Sequence, residues 1–489
     1  MPDTVVIPSI PTVPVTQAVI DQLRAIVGDK GLIVDAPGKQ PFIRNWQGSL
    51  EGSAAVVVRP AGTDEVSQVV KLCYDHGIAI VPQGGNTGLM GGATPWPTHN
   101  GILLSLGRMN HVLDVDPVGY SMTVEAGCVL QTLQETAASH DRFFPLSLGA
   151  QGSCMIGGNL STNAGGVQVL RYGNARNLVL GLEVVLPNGD VWNGLRSLKK
   201  DNTGYDLKHL FMGAEGTLGV ITKAVLKLWP APKDVATAWL AIRDPQAAVE
   251  ILSAAHAASE DNVGSCELMC RNVTDMVLRH VPNTQDPLKA DTEWYLLLEW
   301  SSSRPKADGA EGMSDKLEQF LADEIETGRV LDAVIAQNEA QAQNMWRLRE
   351  SVAEAARAEG AALSYDVSVS ISRIPSFIDQ GIKAALEILP SLRPQPIGHI
   401  GDGNIHFSFA APRGMDRQTL GQYEPAVTRV VNDLVRDMAG SISAEHGIGQ
   451  LKLDELAHYR SRIELDTMRA LKRAIDPKNI MNPGKILRL

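Results

Sequence analysis

A chain of 489 residues is too long to form one hydrophobic core, so we expect two or three domains. Hydrophobic residues make up 44% and charged residues 20% of the sequence, which is typical of a soluble globular enzyme. The formal net charge of −11 argues against general affinity for nucleic acid or for an anionic membrane.

Cysteine usage and the N-terminal sequence favour a cytoplasmic location. The five cysteines are odd in number and sparse, so no disulfide needs to be invoked. Residues 1–14 have the pattern of an extended arm without a basic segment or a sustained apolar run, and no signal peptide is expected. No apolar stretch approaches the ~20 residues that a membrane helix needs.

Strand and helix patterns in the first part of the chain predict a βαβ unit. After a helical pattern at 18–27, the β-branched run 54–58 ends before Pro60. Residues 64–76 have helical spacing, and the apolar run 78–81 follows as a second strand. Strand, helix and strand joined by short links are typical of a βαβ unit.

The second of these strands runs into a glycine-rich loop at residues 82–92. Such a loop lets backbone N–H groups approach an anion such as a pyrophosphate. It has neither the G-x-G-x-x-G spacing at the start of a helix nor the G-x-x-x-x-G-K-[ST] motif, so a nicotinamide Rossmann site and a P-loop NTPase are both disfavoured. Taken alone, the loop is as consistent with an ordinary turn.

A second glycine-rich tract occupies residues 148–166. Six of its nineteen residues are glycine, interleaved with Ser, Thr and Asn, so it cannot pack a core by itself. Shorter tracts at 202–207 and 213–220 have the same character. Four such tracts in one half of the chain predict backbone and hydroxyl contacts with a large polar ligand. The predicted elements between them are strands at 101–106, 112–115 and 122–126 and a helix at 129–139.

After residue 230 the composition changes, and an α/β cap domain is predicted. Strand patterns at 236–242 and 294–300 alternate with helical patterns at 247–258 and 312–326. Near the end of the chain, residues 463–475 form a helix that Asp476-Pro477 stops.

A longer helix is predicted from about 336 to 358, and it carries an arginine on its apolar side. At ~100° per residue, Arg349 falls within the apolar stripe and Arg347 lies on the opposite face. A buried guanidinium needs an anion, and its five donors suit a carboxylate ligand. The alternative is a structural ion pair, with Asp366 as the partner. The stripe consists of Met345, Leu348, Val352 and Ala356.

A two-histidine hairpin stands out in the C-terminal part of the chain. Residues 401–404 have strong turn-forming composition. If Ile400 pairs with Ile405 across this turn, His399 lies opposite His406, and the two imidazoles meet.

Glu445 and His446, further along the chain, add a carboxylate and a third histidine. Two histidines and one carboxylate form a ligand set for a catalytic metal, because they leave positions open for water or substrate. The alternative is a buried hairpin with a hydrogen-bonded histidine pair.

In combination, these motifs closely resemble the vanillyl-alcohol-oxidase flavoprotein family. The tracts at 83–88, 157–166 and 213–219 are similar to its flavin-binding half. The histidine pair, Glu445-His446 and the terminal Asn-Pro-Gly-Lys motif at 482–485 are similar to its FAD-linked C-terminal half. The branch that the chain resembles is that of the FAD-dependent D-2-hydroxy acid dehydrogenases, which includes D-2-hydroxyglutarate and D-lactate dehydrogenases.

The resemblance implies an α+β fold with a two-subdomain FAD-binding domain at 1–230. It implies a substrate (cap) domain at 231–438 that carries the metal-binding hairpin, and a C-terminal segment at 439–489 that returns to the FAD domain. Because neither histidine nor cysteine occurs between Pro82 and Met90, we expect non-covalent FAD. The residues implied to bind FAD are Pro82, Gly84, Gly85, Asn86, Thr87, Gly88, Leu89, Ser153, Gly157, Gly158, Asn159, Thr162, Gly166, Val220 and Asn482.

The resemblance also implies a substrate site. Arg349 and Asn404 would orient a D-2-hydroxy acid, and His446 would contact it as the general base. In the hydroxyglutarate enzymes a threonine and a lysine help to hold the substrate, but here Ala353 and Ser364 stand at those positions. The loss of the lysine at Ser364 favours a monocarboxylic substrate, whereas the overall motifs favour hydroxyglutarate, and the choice stays open.

The expected reaction is oxidation of a D-2-hydroxy acid to the 2-keto acid with transfer of a hydride to FAD. His399, His406 and Glu445 would hold Zn²⁺ or Mn²⁺, which lowers the pKa of the substrate hydroxyl. The expected partners are an electron-accepting flavoprotein or a quinone, and the chain is a possible homodimer. The alternatives are an oxygen-using flavin oxidase, a metal-dependent hydrolase and a non-catalytic electron carrier.

Overall fold

The computed structural model describes residues 13–288 and 290–489. Residues 1–12 of the predicted extended arm therefore lie outside the described residues. The chain divides into two compact units. Among the described residues, the first unit consists of 13–165, 174–230 and 445–489, and the second of 166–173, 231–288 and 290–444. The boundaries predicted from the sequence fall after residues 230 and 438, and the units divide after residues 230 and 444.

A mainly parallel sheet forms the N-terminal part of the first unit. Its strand order, within the described residues, is Leu32–Ile33, Val56–Val58, Ile102–Ser105 and Ile80–Gln83. All three residues of Val56–Val58 are buried, as expected for a parallel strand that is covered on both faces. The helix Thr63–His76 joins the second and fourth of these strands. The predicted βαβ unit is therefore confirmed, with Ile102–Ser105 inserted between its two strands and parallel to both.

The second sheet of the first unit is antiparallel. In the described part of the chain its strand order is Val112–Asp116, Ser121–Glu125, Val220–Lys227, Val179–Val185 and Val191–Gly194. A small ladder also joins Trp229–Pro230 to Arg142–Phe143. The helices of this unit are Gln17–Val27, Ala36–Ile43, Thr63–His76, Leu130–Ser139, Ile156–Ser161, Lys208–Phe211, Leu453–Tyr459 and Arg462–Ile475, with 3₁₀ turns at Asp29–Gly31 and Ala175–Leu178.

The C-terminal segment of the first unit returns to the first sheet. The N–H of Ile80 donates to the Ile480 carbonyl at 2.7 Å, and the N–H of Asn482 donates to the Ile80 carbonyl at 2.8 Å. The terminal motif therefore pairs with the strand that leads into the first glycine-rich loop.

Lys485 of the same motif is buried inside the first unit. Its Nζ donates to the carbonyls of Gly91 and Thr94 at 2.8 and 2.6 Å and lies 4.8 Å from the centroid of the Trp96 ring. Burial lowers the pKa of Lys485 well below that of an ordinary lysine. The lysine thereby ties the chain terminus to the end of the glycine-rich loop.

The second unit is built on an antiparallel sheet. Seven strands are present among the described residues, and their order is Val330–Ile335, Asp234–Ile242, Trp294–Ser302, Val263–Cys270, Arg393–His399, Asn404–Ala410 and Ala362–Ser368. Along each strand, successive side chains point to opposite faces of the sheet. Each face therefore buries its own hydrophobic cluster.

Helices cover both faces of this sheet. One face packs against Pro245–Ala258, Met313–Glu326, Ile374–Ile388 and Glu424–Asp437. The other packs against Arg271–His280, Glu339–Glu350 and Val352–Glu359. Shorter elements of the second unit are the helices Val169–Tyr172 and Arg417–Gly421 and the 3₁₀ turn Ile371–Arg373.

The single helix predicted at 336–358 is wrong. The structure has two helices, Glu339–Glu350 and Val352–Glu359, that meet at Ser351. Ala336 directly follows the edge strand Val330–Ile335, and its N–H still donates to the Thr237 carbonyl at 2.9 Å. The side chain of Asn338 then caps the first helix by accepting from the N–H of Gln341, and this cap fixes the helix start.

Every helix in the described residues is too short or too polar to cross a membrane.

We predict that His99 makes the first unit sensitive to acid. The side chain is buried, and burial lowers its pKa from 6.5 to about 4. The unfolded chain therefore binds a proton in the window between these values, and stability is lost as the pH falls through it. Between pH 7.5 and 5.0 the loss amounts to about 2 kcal/mol.

Urea denaturation at the two pH values measures this effect. His99→Gln lowers stability at pH 7.5, because the hydrogen bond between His99 Nε2 and the Ile102 carbonyl at 3.2 Å is altered. The pH dependence of its unfolding free energy should nevertheless be smaller than that of the wild type. An equal pH dependence in both proteins would contradict the prediction.

Candidate active site

A cavity in the first unit is lined by both glycine-rich tracts and by His446. Its empty volume is about 860 Å³, part of it open to solvent. The residues that were predicted to bind a cofactor and that line this cavity are Pro82, Gly84, Gly85, Asn86, Thr87, Gly88, Gly157, Gly158, Asn159, Thr162 and Val220.

Close backbone approach explains why these tracts are rich in glycine. A Cβ atom on Gly85 would lie well within the van der Waals contact distance of the Ser153 carbonyl oxygen. A Cβ atom on Gly157 would lie 2.7 Å from Cβ of Ala126. The first tract can therefore approach the second at Gly85, and the second can approach Ala126 at Gly157, only if these positions have no side chain.

The cavity wall has the properties of a site for a polar ligand. Ideal Cβ positions on Gly88 and Gly158 meet no atom within 4 Å, so both glycines face open space. The buried Oδ1 of Asn159 has no hydrogen-bond partner among the described residues. An orphaned buried acceptor is costly unless a ligand or water satisfies it. The residues present therefore fit FAD, with its many hydrogen-bonding groups.

Four of the residues predicted to bind FAD do not line the cavity. Leu89 lies between lining residues, and Ser153 contributes the carbonyl that faces Gly85. Gly166 belongs to the second unit. Asn482 supports the wall from behind, because its Nδ2 donates to the carbonyls of Gly92 and Glu215 at 2.9 and 2.7 Å.

Glu215 is a buried carboxylate in the cavity wall that the sequence analysis did not single out. Its two oxygens accept from the N–H groups of Ile448 and Gly449, each at 2.8 Å. Burial raises the pKa of Glu215, while these hydrogen bonds and the charge of Lys485 oppose the rise. Glu215 therefore fixes the segment that directly follows His446. The sequence feature that could have identified Glu215 is that it is the single carboxylate within the glycine-rich tract at 213–220.

In the second unit, the histidine hairpin has a register that differs from the predicted one. His399 pairs with Asn404, and His406 pairs with Ile397, so the predicted pairing of His399 with His406 is wrong. Residues 400–403 form the whole turn, which shifts the pairing by two residues.

The two imidazoles nevertheless meet. His406 is two residues beyond the partner of His399, so both side chains point to the same face in the diagonal relation. Their ring centroids lie 5.4 Å apart in an edge-to-face arrangement.

Arg349 and His399 share one buried carboxylate. Glu267 lies directly opposite His399 in the neighbouring strand and is 0% exposed. Its Oε1 accepts from His399 Nδ1 at 2.7 Å, and its Oε2 accepts from Arg349 Nε at 2.7 Å. Burial opposes ionisation of Glu267, but the charges and hydrogen bonds of His399 and Arg349 outweigh it and lower the pKa. Arg349 therefore forms the structural ion pair that was the alternative to ligand binding, but its partner is Glu267 and not Asp366.

The sequence contains a sign of Glu267 that was missed. It is the charged residue within the otherwise uncharged strand Val263–Cys270, in which every residue is buried. A charge in such a strand requires a partner. The partners come from positions far away in sequence, so the pattern alone does not identify them.

Asn404, Asp366 and His406 form a second polar group on this face. Asn404 Nδ2 donates to Asp366 Oδ1 and to the Val367 carbonyl, both at 2.9 Å. Its Oδ1 is buried and lacks a hydrogen-bond partner among the described residues. His406 Nδ1 lies 3.8 Å from Asp366 Oδ1.

The remaining predicted residues occupy different surroundings. Ser364 is exposed, and its Oγ lies 2.8 Å from Oγ of Ser408 on the paired strand. Glu445 and His446 belong to the first unit. The second unit ends at Ala444, whose N–H donates to the Asp366 carbonyl at 3.3 Å, and Glu445 is the next residue along the chain.

A family described as FAD linked oxidases, C-terminal domain, matches residues 231–486, which is more than half of the chain. The chain belongs to this FAD-linked oxidase family. Residues 54–194 match a second family, described as FAD binding domain, so the expectation of FAD as cofactor is confirmed.

Curated relatives within the family match nearly the whole chain. D-2-hydroxyglutarate dehydrogenase, mitochondrial, of Arabidopsis thaliana is 37% identical and covers 96% of this chain and 81% of the relative. The Bos taurus protein of the same name is 38% identical, with 93% and 81% covered. D-2-hydroxyglutarate dehydrogenase of Stutzerimonas stutzeri (strain A1501) is 33% identical, with 96% and 98% covered.

Solved structures support the fold. p-Cresol methylhydroxylase with bound substrate has a TM-score of 0.72 at 18% identity and covers 97% of this chain and 98% of its own. 4-Ethylphenol oxidase from Gulosibacter chungangensis has a TM-score of 0.69 at 17% identity, with 96% of both chains covered. The predicted α+β fold of the vanillyl-alcohol-oxidase type is confirmed.

We predict that Gly85→Ala weakens FAD binding. The new methyl group collides with the backbone of the second tract, and overpacking of this kind costs about 1–3 kcal/mol. The dissociation constant for FAD should therefore rise about tenfold. Flavin fluorescence titration of the apoprotein measures it. The control is Gly62→Ala, because the added Cβ meets no atom within 4 Å. Equal FAD affinity in both variants would contradict the prediction.

Proposed function

We propose that this protein is an FAD-dependent dehydrogenase that oxidises a D-2-hydroxy acid to the 2-keto acid. The observation that carries the proposal is the cavity of the first unit, whose glycine-built wall fits FAD and includes a histidine, His446. The full-length relatives named D-2-hydroxyglutarate dehydrogenase support the same reaction class.

We propose that a divalent metal, Zn²⁺ or Mn²⁺, binds His399, His406 and Glu445. The adjacency of the two imidazoles supports this assignment, with ring centroids 5.4 Å apart. Because His399 Nδ1 donates to Glu267, the lone pair of the neutral imidazole is on Nε2, the atom through which this histidine would bind the metal. Imidazole and carboxylate donors suit both metals.

We propose that Arg349 and Asn404 hold the substrate. Arg349 uses Nε to pair with Glu267, and its Nη2 lies 3.5 Å from His399 Nε2, so a substrate carboxylate would bind Nη1 and replace this long contact of Nη2. The buried Oδ1 of Asn404 is an acceptor that a substrate hydroxyl can satisfy. Arg349 requires an anion and the Oδ1 atom of Asn404 requires a hydrogen-bond donor. Together they favour a ligand with both an anionic and a hydroxyl group.

His446 would act as the general base. Oxidation of the C2 alcohol releases one proton and one hydride equivalent, and His446 accepts the proton at a ring nitrogen. Imidazole suits this task because its unperturbed pKa of about 6.5 is close to the operating pH. When bound, FAD supplies the hydride acceptor, and the metal supplies a Lewis acid for the hydroxyl.

The substrate is proposed to belong to the D-2-hydroxyglutarate or D-lactate class. The names of the relatives favour D-2-hydroxyglutarate. The hydroxyl pair of Ser364 and Ser408 offers no positive charge for a second carboxylate, and this favours D-lactate.

We further propose an electron-accepting flavoprotein or a quinone as the oxidant of the reduced enzyme, a cytoplasmic location and non-covalent FAD. Burial raises the pKa of Cys154 in the cavity wall, which keeps this thiol protonated and unreactive.

Anaerobic spectroscopy tests the reaction class. The FAD-loaded, metal-replete protein is mixed separately with D-2-hydroxyglutarate, D-lactate and their L-isomers. We expect the visible flavin absorbance to be bleached by a D-acid and not by its L-isomer, and the more effective D-acid identifies the substrate. A flavin that none of the four acids bleaches would refute the proposal.

We predict that His406→Asn slows flavin reduction about 100-fold or more, because a Lewis acid contributes several kcal/mol to the reaction. Stopped-flow absorbance with the better D-acid measures the rate. The control is His76→Asn, since His76 is exposed at the end of the helix Thr63–His76. Chelation should slow the wild type by a similar factor, and Zn²⁺ or Mn²⁺ should restore only the wild type and the control. A fast, chelator-resistant His406→Asn variant would count against the metal assignment.

A further inference from the structure

One buried carboxylate in the second unit contacts two residues with separate proposed roles. Glu267 lies in the middle of the strand Val263–Cys270 and is 0% exposed. Each of its oxygens has its own partner at 2.7 Å, His399 Nδ1 for Oε1 and Arg349 Nε for Oε2. A buried carboxylate without such donors would be strongly destabilising.

Two different elements bring the partners to Glu267. Strand pairing places His399 directly opposite Glu267, so the sheet register fixes one contact. Arg349 comes from the last turn of the helix Glu339–Glu350, which packs on the same face of the sheet. Glu267 is therefore the point at which a strand contact and a helix contact meet.

The contact determines which nitrogen of His399 carries the proton. An ionised carboxylate only accepts hydrogen bonds, so the Nδ1 atom that faces Glu267 is protonated. The other nitrogen, Nε2, keeps its lone pair for a metal. Arg349 Nη2, a donor, lies 3.5 Å from this Nε2, which agrees with an acceptor at that position.

The same contact orients the guanidinium of Arg349. Since Nε is committed to Glu267, rotation of the planar group about its own axis is restricted. The edge formed by Nη1 and Nη2 would contact a carboxylate in a bidentate manner once Nη2 exchanges its 3.5 Å contact with His399 Nε2 for the ligand. Glu267 thus orients both the imidazole of His399 and the guanidinium of Arg349.

We infer that Glu267 is a positioning residue that couples the metal ligand His399 to the carboxylate anchor Arg349. The inference rests on the proposed function, because it assigns Glu267 a task toward the metal and the substrate. Removal of its charge weakens metal binding and carboxylate binding together, whereas removal of Arg349 weakens carboxylate binding alone.

The variant Glu267→Gln tests the coupling with the FAD-loaded protein. A carboxamide has the shape of the carboxylate but presents an N–H₂ group to either His399 Nδ1 or Arg349 Nε. If it faces His399, the imidazole must move its proton to Nε2, where a metal can no longer bind. If it faces Arg349, two donors oppose each other. Either outcome disturbs one partner, and exchange between them disturbs both.

Two equilibrium measurements report on the variant without turnover. Competition with a chromophoric chelator gives the affinity for Zn²⁺, and calorimetric titration of the metal-free protein with 2-oxoglutarate and with pyruvate gives the affinity for a 2-keto carboxylate. We expect Glu267→Gln to weaken Zn²⁺ binding by about 10–100-fold. It should also weaken binding of the tighter keto acid by about tenfold or more.

Two variants serve as controls. Arg349→Gln should weaken keto-acid binding and leave Zn²⁺ affinity within about threefold of the wild type, a change of less than 1 kcal/mol. Glu299→Gln removes another carboxylate from the same sheet, one that accepts from Trp346 Nε1 at 2.7 Å and from Thr237 Oγ1 at 2.9 Å. It should leave both affinities unchanged.

The outcomes separate the inference from the proposed function. If the wild type binds no Zn²⁺, the metal assignment fails, and the coupling fails with it. If the wild type binds Zn²⁺ and Glu267→Gln binds it equally well, only the coupling is overturned. If Glu267→Gln does not fold, ¹⁵N NMR of the metal-free wild type tests the inference instead. A His399 imidazole that is protonated at Nε2 and not at Nδ1 would overturn it.

Discussion

The requirement that a buried carboxylate be met by hydrogen-bond donors determines the local geometry of both units. In the first unit, Glu215 collects two backbone N–H groups from the segment after His446. In the second, Glu267 collects an imidazole and a guanidinium. In each case a residue that performs no chemistry in the proposed reaction fixes the position of one that does. Because the penalty for an unsatisfied buried carboxylate is several kcal/mol, neither arrangement can relax without a large loss of stability.

Local sequence patterns predicted most of the regular structure. The helix expected at 463–475 is observed as Arg462–Ile475, and the strand expected at 294–300 is observed as Trp294–Ser302. Such elements depend on the periodicity of neighbouring residues, which the sequence displays directly. The glycine-rich tracts could be found for a similar reason, since the steric need for glycine is a property of single positions such as Gly85.

Long-range pairings could not be predicted in this way. Glu267 meets a histidine 132 residues later, and Glu215 meets the N–H of a residue 234 positions later. Contacts between residues so far apart in sequence produce no periodic pattern of neighbouring residues. The hairpin shows a subtler limit, because its turn has Gly403 at a φ of +82°, packed against the Val369 backbone. The composition of the turn revealed that the chain reverses, but not which residues pair.

The return of the terminal motif to the first sheet has a consequence for how this protein is made. Lys485 donates to the carbonyl of Gly91, a residue 394 positions earlier, and Asn482 pairs with Ile80. Closing so long a loop costs entropy that only the finished contacts repay. While the ribosome is still synthesising the chain, the strand beside the glycine-rich loop lacks its outer partner, whereas residues 231–444 are already complete. The second unit can therefore fold during translation, before the terminal motif pairs with the strand that leads into the glycine-rich loop.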